Sequence, residues 1–187
     1  MGTLIEISDP SDPRLDAYRE LSNRERPARA GRFVAESAPV IQELVSSARY
    51  PVESVLLTPR RLENATWVAQ LPAETTVYVA SDNLLQAVAG FPVHRGCLAL
   101  GIRSAAPAIE QVLRSDMRTV VVLDGVADPD NVGSIFRSGF ALGADAVLLG
   151  ATCADPLYRK AIRTSMGTVF RLPHAGFHST PDAVQAL

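Results

Sequence analysis

The sequence has 187 residues, enough for one large domain or two small ones. Apolar residues make up 47% of the chain, which supports packed cores, and the formal net charge is −2. This charge excludes a uniformly basic nucleic-acid-binding protein, so any RNA binding must use local patches.

The two cysteines and the N-terminal sequence indicate the compartment. Cys97 and Cys153 are far apart and lie beside apolar residues, which predicts buried free thiols rather than a metal site or a disulfide framework. No charged segment followed by an apolar one begins the chain, and no apolar run approaches the length needed to cross a bilayer. We therefore expect a cytoplasmic protein with no membrane partner and no bound metal.

A cluster of arginines follows the first predicted helix. Residues 1–13 are expected to form a strand or arm, and residues from 14 to 21 a helix. The next segment, SNRERPARAGR, contains Arg24, Arg26, Arg29 and Arg32. Such a patch can neutralise several RNA phosphates, although Glu20 and Glu25 leave open the alternative of a solvated loop.

Alternating strands and helices are predicted between residues 33 and 102. Apolar and β-branched runs predict strands, and amphipathic runs that follow Ser37 or Ser81 as N-caps predict helices. The strands are expected at 33–35, 52–57, 75–79 and 98–102, and the helices at 37–49, 59–70 and 81–89. This alternation is typical of an α/β layer fold.

A change of composition after residue 104 predicts a domain boundary. Alanines and a proline indicate a linker, and Ile109, Val112 and Leu113 indicate a short helix leading into a second unit. We expect a first domain over 1–104, a linker over 105–117 and a second domain over 118–187.

The stretch from 119 to 150 predicts a βαβ unit and therefore a parallel sheet. One apolar run ends at Leu123, and a second begins at Ala146. Between them, Asp128 is the expected helix N-cap with Pro129 at the first helical position, and Gly143 is the expected left-handed residue after the helix.

Two faces of this predicted helix differ in character. Its buried stripe is expected to consist of Val132, Ile135, Phe136 and Phe140. Gly133 and Arg137 lie one turn apart on another face, where a backbone or a phosphate can approach the glycine while the guanidinium donates hydrogen bonds. The alternative is a solvated arginine that pairs with Asp128 or Asp130.

A second basic segment follows the βαβ unit. Residues 158–165 are predicted to be helical, and their positive charges are Arg159, Lys160 and Arg163. Residues 168–172 are expected to form a strand, and a further helix is expected to begin after Thr180 as N-cap.

Two ordered motifs lie in these segments. The first, LDGVADPDNVGSIFRSGFALGADAVLL, contains an Asn-x-Gly followed by x-x-x-Arg at Asn131, Gly133 and Arg137. The second, RKAIRTSMGTVFRLP, contains Arg163, Ser165 and Gly167. In this order they resemble motif 1 and the early part of motif 2 of the SpoU (TrmH-type) RNA ribose 2′-O-methyltransferases of the SPOUT class. Upstream, RERPARAGRFVAESAPVIQELV and FPVHRGCLALGI resemble the start and end of that family's N-terminal RNA-binding domain.

The resemblance implies an RNA 2′-O-methyltransferase that uses S-adenosylmethionine (AdoMet). Arg137 matches the family's proposed catalytic residue, which binds the target phosphate and helps to deprotonate the ribose 2′-hydroxyl before that oxygen attacks the methyl donor. Because a guanidinium is a poor base, its expected role is positioning and electrostatic stabilisation. By the same resemblance, Asn131 shapes the active site and Arg163 faces the phosphate-binding region. Gly133 and the arginine cluster are expected to contact RNA on the residue patterns given above.

The implied fold is a ribosomal-protein-like α/β domain followed by an incomplete SPOUT domain, a knotted, Rossmann-like parallel-sheet α/β domain. The family's remaining motifs, which form its knot and most of its AdoMet pocket, are expected beyond residue 187. We therefore expect this polypeptide to be C-terminally truncated, to bind AdoMet weakly and to be inactive alone. Homodimers are expected of the full-length protein rather than of this chain.

The resemblance also favours rRNA, such as 23S rRNA, over tRNA as the substrate, since an N-terminal domain of this type is present. The alternative from another class is a non-catalytic RNA-binding module derived from this family. An unrelated nucleotide-binding α/β protein is disfavoured because no GxGxxG follows residues 119–123.

Overall fold

A computed structural model describes residues 3–22, 31–90, 96–185 and 187 of the chain. The chain divides into two compact units, Met1–Arg103 and Ser104–Leu187. Both contain strands and helices, which confirms the predicted α/β fold. Among the described residues, no helix combines the length and the apolar character that crossing a bilayer requires.

The first unit is built on a five-stranded mixed sheet. Its strands are β1 (Leu4–Glu6), β2 (Arg32–Glu36), β3 (Val52–Leu57), β4 (Thr76–Val79) and β5 (Cys97–Ile102). Its helices are α1 (Asp16–Ser22), α2 (Ala38–Ser47), α3 (Pro59–Asn64) and α4 (Asp82–Ala89). The strand order is β1-β4-β3-β5-β2, in which the first three strands are parallel and β5 runs antiparallel to both of its neighbours.

One predicted helix of the first unit is interrupted. The helix expected over 59–70 stops at Ala65, whose φ of −93° and ψ of 74° are not helical. The chain continues as a 3-10 helix at Thr66–Gln70, in which Trp67 and Val68 are buried. The break allows both bulky side chains to enter the core. The other elements predicted between residues 33 and 102 are confirmed, with boundaries shifted by one or two residues.

The second unit contains a three-stranded parallel sheet. Strands β6 (Val120–Leu123), β7 (Ala146–Gly150) and β8 (His174–Phe177) pair in that order. The helices are α5 (Ile109–Val112), α6 (Pro129–Ala141), α7 (Arg159–Thr164) and α8 (Thr180–Gln185). All five residues of β7 are buried, as in a parallel strand covered on both faces. The predicted βαβ unit is therefore confirmed as β6-α6-β7.

The predicted strand over 168–172 is wrong. A 3-10 helix at Thr168–Phe170 occupies this segment and buries Val169 and Phe170, and the strand comes later, as β8. Gly167, with a φ of +83°, starts a turn immediately before these residues. A short apolar run cannot be distinguished from a buried helical turn by its periodicity alone, which is why the pattern misled.

The segment expected as a linker is part of the second unit. Within 105–117 lies α5, and Val112 is buried in an apolar cluster with Ala146, Leu148 and Phe177. The short helix predicted at these positions is therefore confirmed as α5, but it packs on the sheet of the second unit instead of lying in a linker.

Asp145 anchors the entry to β6. Its carboxylate oxygen Oδ2 accepts hydrogen bonds from the backbone N–H groups of Arg118 at 2.8 Å and Thr119 at 2.9 Å. These two hydrogen bonds, of which the one from Thr119 has the larger effect, hold the pKa of Asp145 below its ordinary value of 3.8. The charged form of this carboxylate therefore stabilises the folded second unit.

Helices α6 and α7 pack closely at Gly133. This glycine is buried, and a Cβ added to it would lie 2.5 Å from the carbonyl oxygen of Ala161 and 3.0 Å from Cβ of Thr164. The backbone of α7 thus occupies the space that the sequence left open to a backbone or a phosphate. Gly133 is therefore a packing residue at which a backbone approaches closely, as its sequence context allows, and its contact with RNA stays a prediction.

We expect Asp145→Asn to lower the melting temperature at pH 7. A lowered pKa contributes stability above the pKa of the unfolded chain, and this stability is lost as the pH falls through the lowered pKa of the folded state. The difference from wild type should be constant above about pH 5 and should shrink below about pH 4. Thermal melts across this range test it, with exposed Asp116→Asn as control; a difference independent of pH would contradict the role of the charge.

We expect Gly133→Ala to lower the free energy of unfolding of the second unit by about 1–3 kcal/mol, because the added methyl group overlaps the backbone of α7. Gly139→Ala is the matched control in the same helix, since its nearest neighbour, Cβ of Ala144, would lie at 3.6 Å. That change should stabilise the helix by about 0.5–1 kcal/mol. Denaturant titration measures both, and equal stabilities would contradict close packing at Gly133.

Candidate active site

The ends of α6 are built as the sequence predicts. Asp128 is the N-cap, and its side chain accepts a hydrogen bond from the backbone N–H of Asp130 at 2.8 Å. Pro129 occupies the first helical position, where a missing N–H costs nothing. Gly143 has a φ of +81° just beyond the other end. These caps fix the first turn of the helix, in which Asn131 is exposed.

The buried stripe of α6 is shorter than predicted. Val132 and Phe136 are fully buried and Ile135 is partly buried, but Phe140 is 42% exposed, so its predicted burial is wrong. Eight residues at about 100° each turn Phe140 about 80° away from the direction of Val132. The guanidinium of Arg171 lies 5.7 Å from the centroid of the Phe140 ring.

Arg137 lies on the exposed side of α6, one turn after Gly133. Within the described part of the chain, its guanidinium makes no hydrogen bond or ion pair. Asp128 is engaged at the N-cap and Asp130 with α7, so the pairing that was the alternative for Arg137 does not occur. The guanidinium therefore presents its N–H donors for an anion.

Asp130 joins α6 to α7. The Thr164 hydroxyl donates to its Oδ1 at 2.7 Å, and Nζ of Lys160 lies 3.2 Å from its Oδ2. The hydrogen bonds from Thr164 and Lys160, and the positive charges of Lys160 and Arg163, hold the pKa of Asp130 below its ordinary value. The sequence pattern offers Asp130 only as a partner for Arg137, so the link was missed; an acid in the first turn of a helix was its only signal.

The second motif contributes an exposed cation and a tight turn. Arg163 is exposed near the C-terminal end of α7. Ser165 is buried, and its hydroxyl donates to the carbonyl of Ile162 at 2.9 Å and accepts from the N–H of Gly167 at 3.2 Å. Ser165 and Gly167 therefore shape the backbone, whereas Arg163 can reach a ligand.

The predicted arginine cluster is described only at Arg32. Arg24, Arg26 and Arg29 lie outside the described residues. The guanidinium of Arg32 pairs with Glu53, with Nε 2.6 Å from Oε2 and Nη2 2.9 Å from Oε1. This bidentate pair neutralises Arg32, which weakens the expectation that Arg32 binds a phosphate.

The carboxyl edge of the second sheet is occupied by protein atoms beside Gly150. Ligands of open parallel sheets bind at this edge. Here Asp124 follows β6 and accepts a hydrogen bond from the Thr180 hydroxyl at 2.6 Å. A Cβ added at Gly150 would lie 2.9 Å from Oδ1 of Asp124 and 3.2 Å from the ring of Phe177. The space directly beside Cα of Gly150 is therefore too small for an added methyl group.

No metal centre is evident in the described ranges, because no group of three or more His, Cys, Asp or Glu residues there could hold a metal ion. The exposed groups that the sequence singled out in the second unit are Asn131, Arg137 and Arg163.

Comparison with known proteins links these motifs to methyltransferases. The family model described as the SpoU rRNA Methylase family matches residues 118–187. An uncharacterized tRNA/rRNA methyltransferase of Mycobacterium tuberculosis is 39% identical over 97% of this chain and 64% of its own length. A 23S rRNA (uridine(2479)-2′-O)-methyltransferase of Streptomyces viridochromogenes is 28% identical over 82% of this chain and 53% of its own length.

The fold agrees with this relationship. One similar solved structure is the crystal structure of the SpoU methyltransferase AviRb from Streptomyces viridochromogenes in complex with the cofactor AdoMet. The match covers 93% of this chain and 66% of the AviRb chain, with a TM-score of 0.73 and 26% sequence identity. The chain spans 64% of the length of the mycobacterial relative. The matched segment, the two motifs on α6 and α7 and the shared fold thus make residues 118–187 of this chain similar to the SpoU rRNA Methylase family.

Proposed function

We propose that the protein containing this chain transfers a methyl group from AdoMet to the 2′-hydroxyl of a ribose in RNA. The observation that carries this proposal is Arg137, an exposed guanidinium in the SpoU segment with no partner among the described residues. Capping at both ends of α6 and the contact at Gly133 hold it on a rigid helix. A preorganised guanidinium of this kind suits a phosphate of the RNA backbone.

Arg137 binds the phosphate beside the target ribose and so orients the 2′-hydroxyl. A guanidinium keeps its proton, so it acts by alignment and by stabilising the negative charge that develops on oxygen. Arg163 on α7 supplies a second cation for the same RNA segment. Asn131 is exposed in the first turn of α6, where its amide can reach a ligand.

Ribosomal RNA is the proposed substrate. One relative is named a 23S rRNA 2′-O-methyltransferase, and another a tRNA/rRNA methyltransferase. Because the chain covers 64% of the latter, the activity is proposed for the whole protein. By resemblance to the family, the whole protein is proposed to act in the cytoplasm as a homodimer.

AdoMet is proposed as the methyl donor by relationship. The matching AviRb structure contains this cofactor. The residues assigned a role in this proposal, Arg137, Arg163 and Asn131, act on the RNA.

The first test is Arg137→Ala in the whole protein. We expect the rate of methyl transfer to RNA to fall at least about 100-fold, because alignment and charge stabilisation are both removed. Arg114→Ala is the matched control, since Arg114 is an exposed arginine of the same unit that pairs with exposed Asp116. Incorporation of labelled methyl groups into rRNA and tRNA pools, followed by mapping of the modified ribose, provides the measurement.

Several outcomes of this test would contradict the proposal. Undiminished transfer by Arg137→Ala would mean that Arg137 has another role. Methylation of a base would exclude the assigned reaction, and methylation of tRNA alone would exclude the assigned substrate. RNA binding without any methylation by the wild-type protein would mean a non-catalytic RNA-binding module.

The arginine cluster requires a binding experiment. Replacing Arg24, Arg26 and Arg29 by Ala should make the slope of log K against log salt shallower, by about 0.7 for each phosphate of single-stranded RNA that is no longer neutralised. Arg32→Ala should change the slope less, because Glu53 already pairs with Arg32. Fluorescence titrations at several KCl concentrations measure the slope, and no change in the triple variant would mean that this segment is a solvated loop.

A further inference from the structure

A single carboxylate links the segments that carry the two motifs. Asp130 precedes Asn131 on α6, and Thr164 follows Arg163 on α7. These two neighbours of site residues are joined by a hydrogen bond of 2.7 Å. The link therefore ties the position of one motif to that of the other.

Helix α7 needs such a stabilising contact with α6 because it is short. It has six residues, and helices of that length are unstable by themselves. Buried Ala161 and Ile162 anchor one side of it, and the contact at Gly133 sets its distance from α6. The directional bond from Thr164, next to Arg163, adds a restraint against sliding or turning of α7 along α6.

Asp130 also interacts with some of the positive charges of the site and not with others. It pairs with Lys160 at 3.2 Å, and it lies close enough to Arg163 to interact with its charge. Arg137 has no such partner among the described residues. A negative charge beside an RNA-binding surface opposes RNA binding, so affinity for RNA does not explain the presence of Asp130.

We propose that Asp130 is a positioning residue, which holds Arg163 through Thr164 so that Arg163 and Arg137 meet the same stretch of RNA backbone. This inference rests on the proposed methyl transfer and adds one residue to it. Asp130 takes no proton in the reaction and makes no contact with the reacting atoms.

The test compares Asp130→Ala, Thr164→Val and the double variant with the wild type, in the whole protein. The kcat should fall about 10- to 100-fold in each single variant, because a small misplacement of a positioning group costs that much. The double variant should be no slower than the slower single variant, since both remove the same link. Thr164→Ser, which keeps the hydroxyl, should restore most of the rate that Thr164→Val removes.

The KM values separate positioning from simpler roles. For Asp130→Ala, the KM for RNA should not rise, because a negative charge beside the RNA has been removed, and the KM for AdoMet should stay constant. Asp116→Ala, which removes an exposed carboxylate paired with Arg114 at 3.1 Å in the same unit, should match the wild type.

Three results would overturn the inference. An unchanged kcat in Thr164→Val, or a lower KM for RNA as the sole effect of Asp130→Ala, would mean that Asp130 acts only through its charge. A lower melting temperature together with a higher KM for AdoMet would mean a general loss of structure. A wild-type protein that does not methylate RNA would refute the proposed function itself, and this inference with it.

Discussion

The close approach of two helices at one glycine governs the second unit. Because Gly133 has no side chain, the carbonyl of Ala161 can lie where a methyl group would otherwise be. The contact brings α7 against α6, and with it Arg163 and the turn closed by Ser165. A site assembled from two short segments depends on that distance, since α7 is too short to hold its own conformation.

The distribution of charge explains how a chain with a net charge of −2 leaves Arg137 without a partner among the described residues. Asp128 and Asp130 lie at the N-terminus of α6, where the helix dipole favours negative charge. Asp128 caps the helix, and Asp130 holds Lys160 and Thr164. Neither carboxylate neutralises Arg137, about two turns further along. The acids thus stabilise the scaffold, and the guanidinium remains for a ligand.

Local sequence signals were sufficient to predict where the helix that carries the site begins and ends. The contacts between that helix and α7 could not be predicted in the same way. Asp128 and Gly143 act within one turn of the chain, so their pattern alone predicts where α6 begins and ends. The exposure of Phe140 follows from its angle of about 80° to Val132 around the helix, which the assignment of a single apolar stripe overlooked. The bond between Asp130 and Thr164 joins residues 34 apart, and such a pair has no local signature.

The proposed function assigns Arg137 and Arg163 to the RNA that accepts the methyl group. Both residues are exposed, on α6 and α7. On this proposal they orient the acceptor, and the reaction rate depends on how rigidly they do so. A phosphate tolerates small shifts of a guanidinium in binding, but the alignment of reacting atoms does not. Loosening the contact between α6 and α7 without unfolding should therefore lower kcat before it weakens RNA binding.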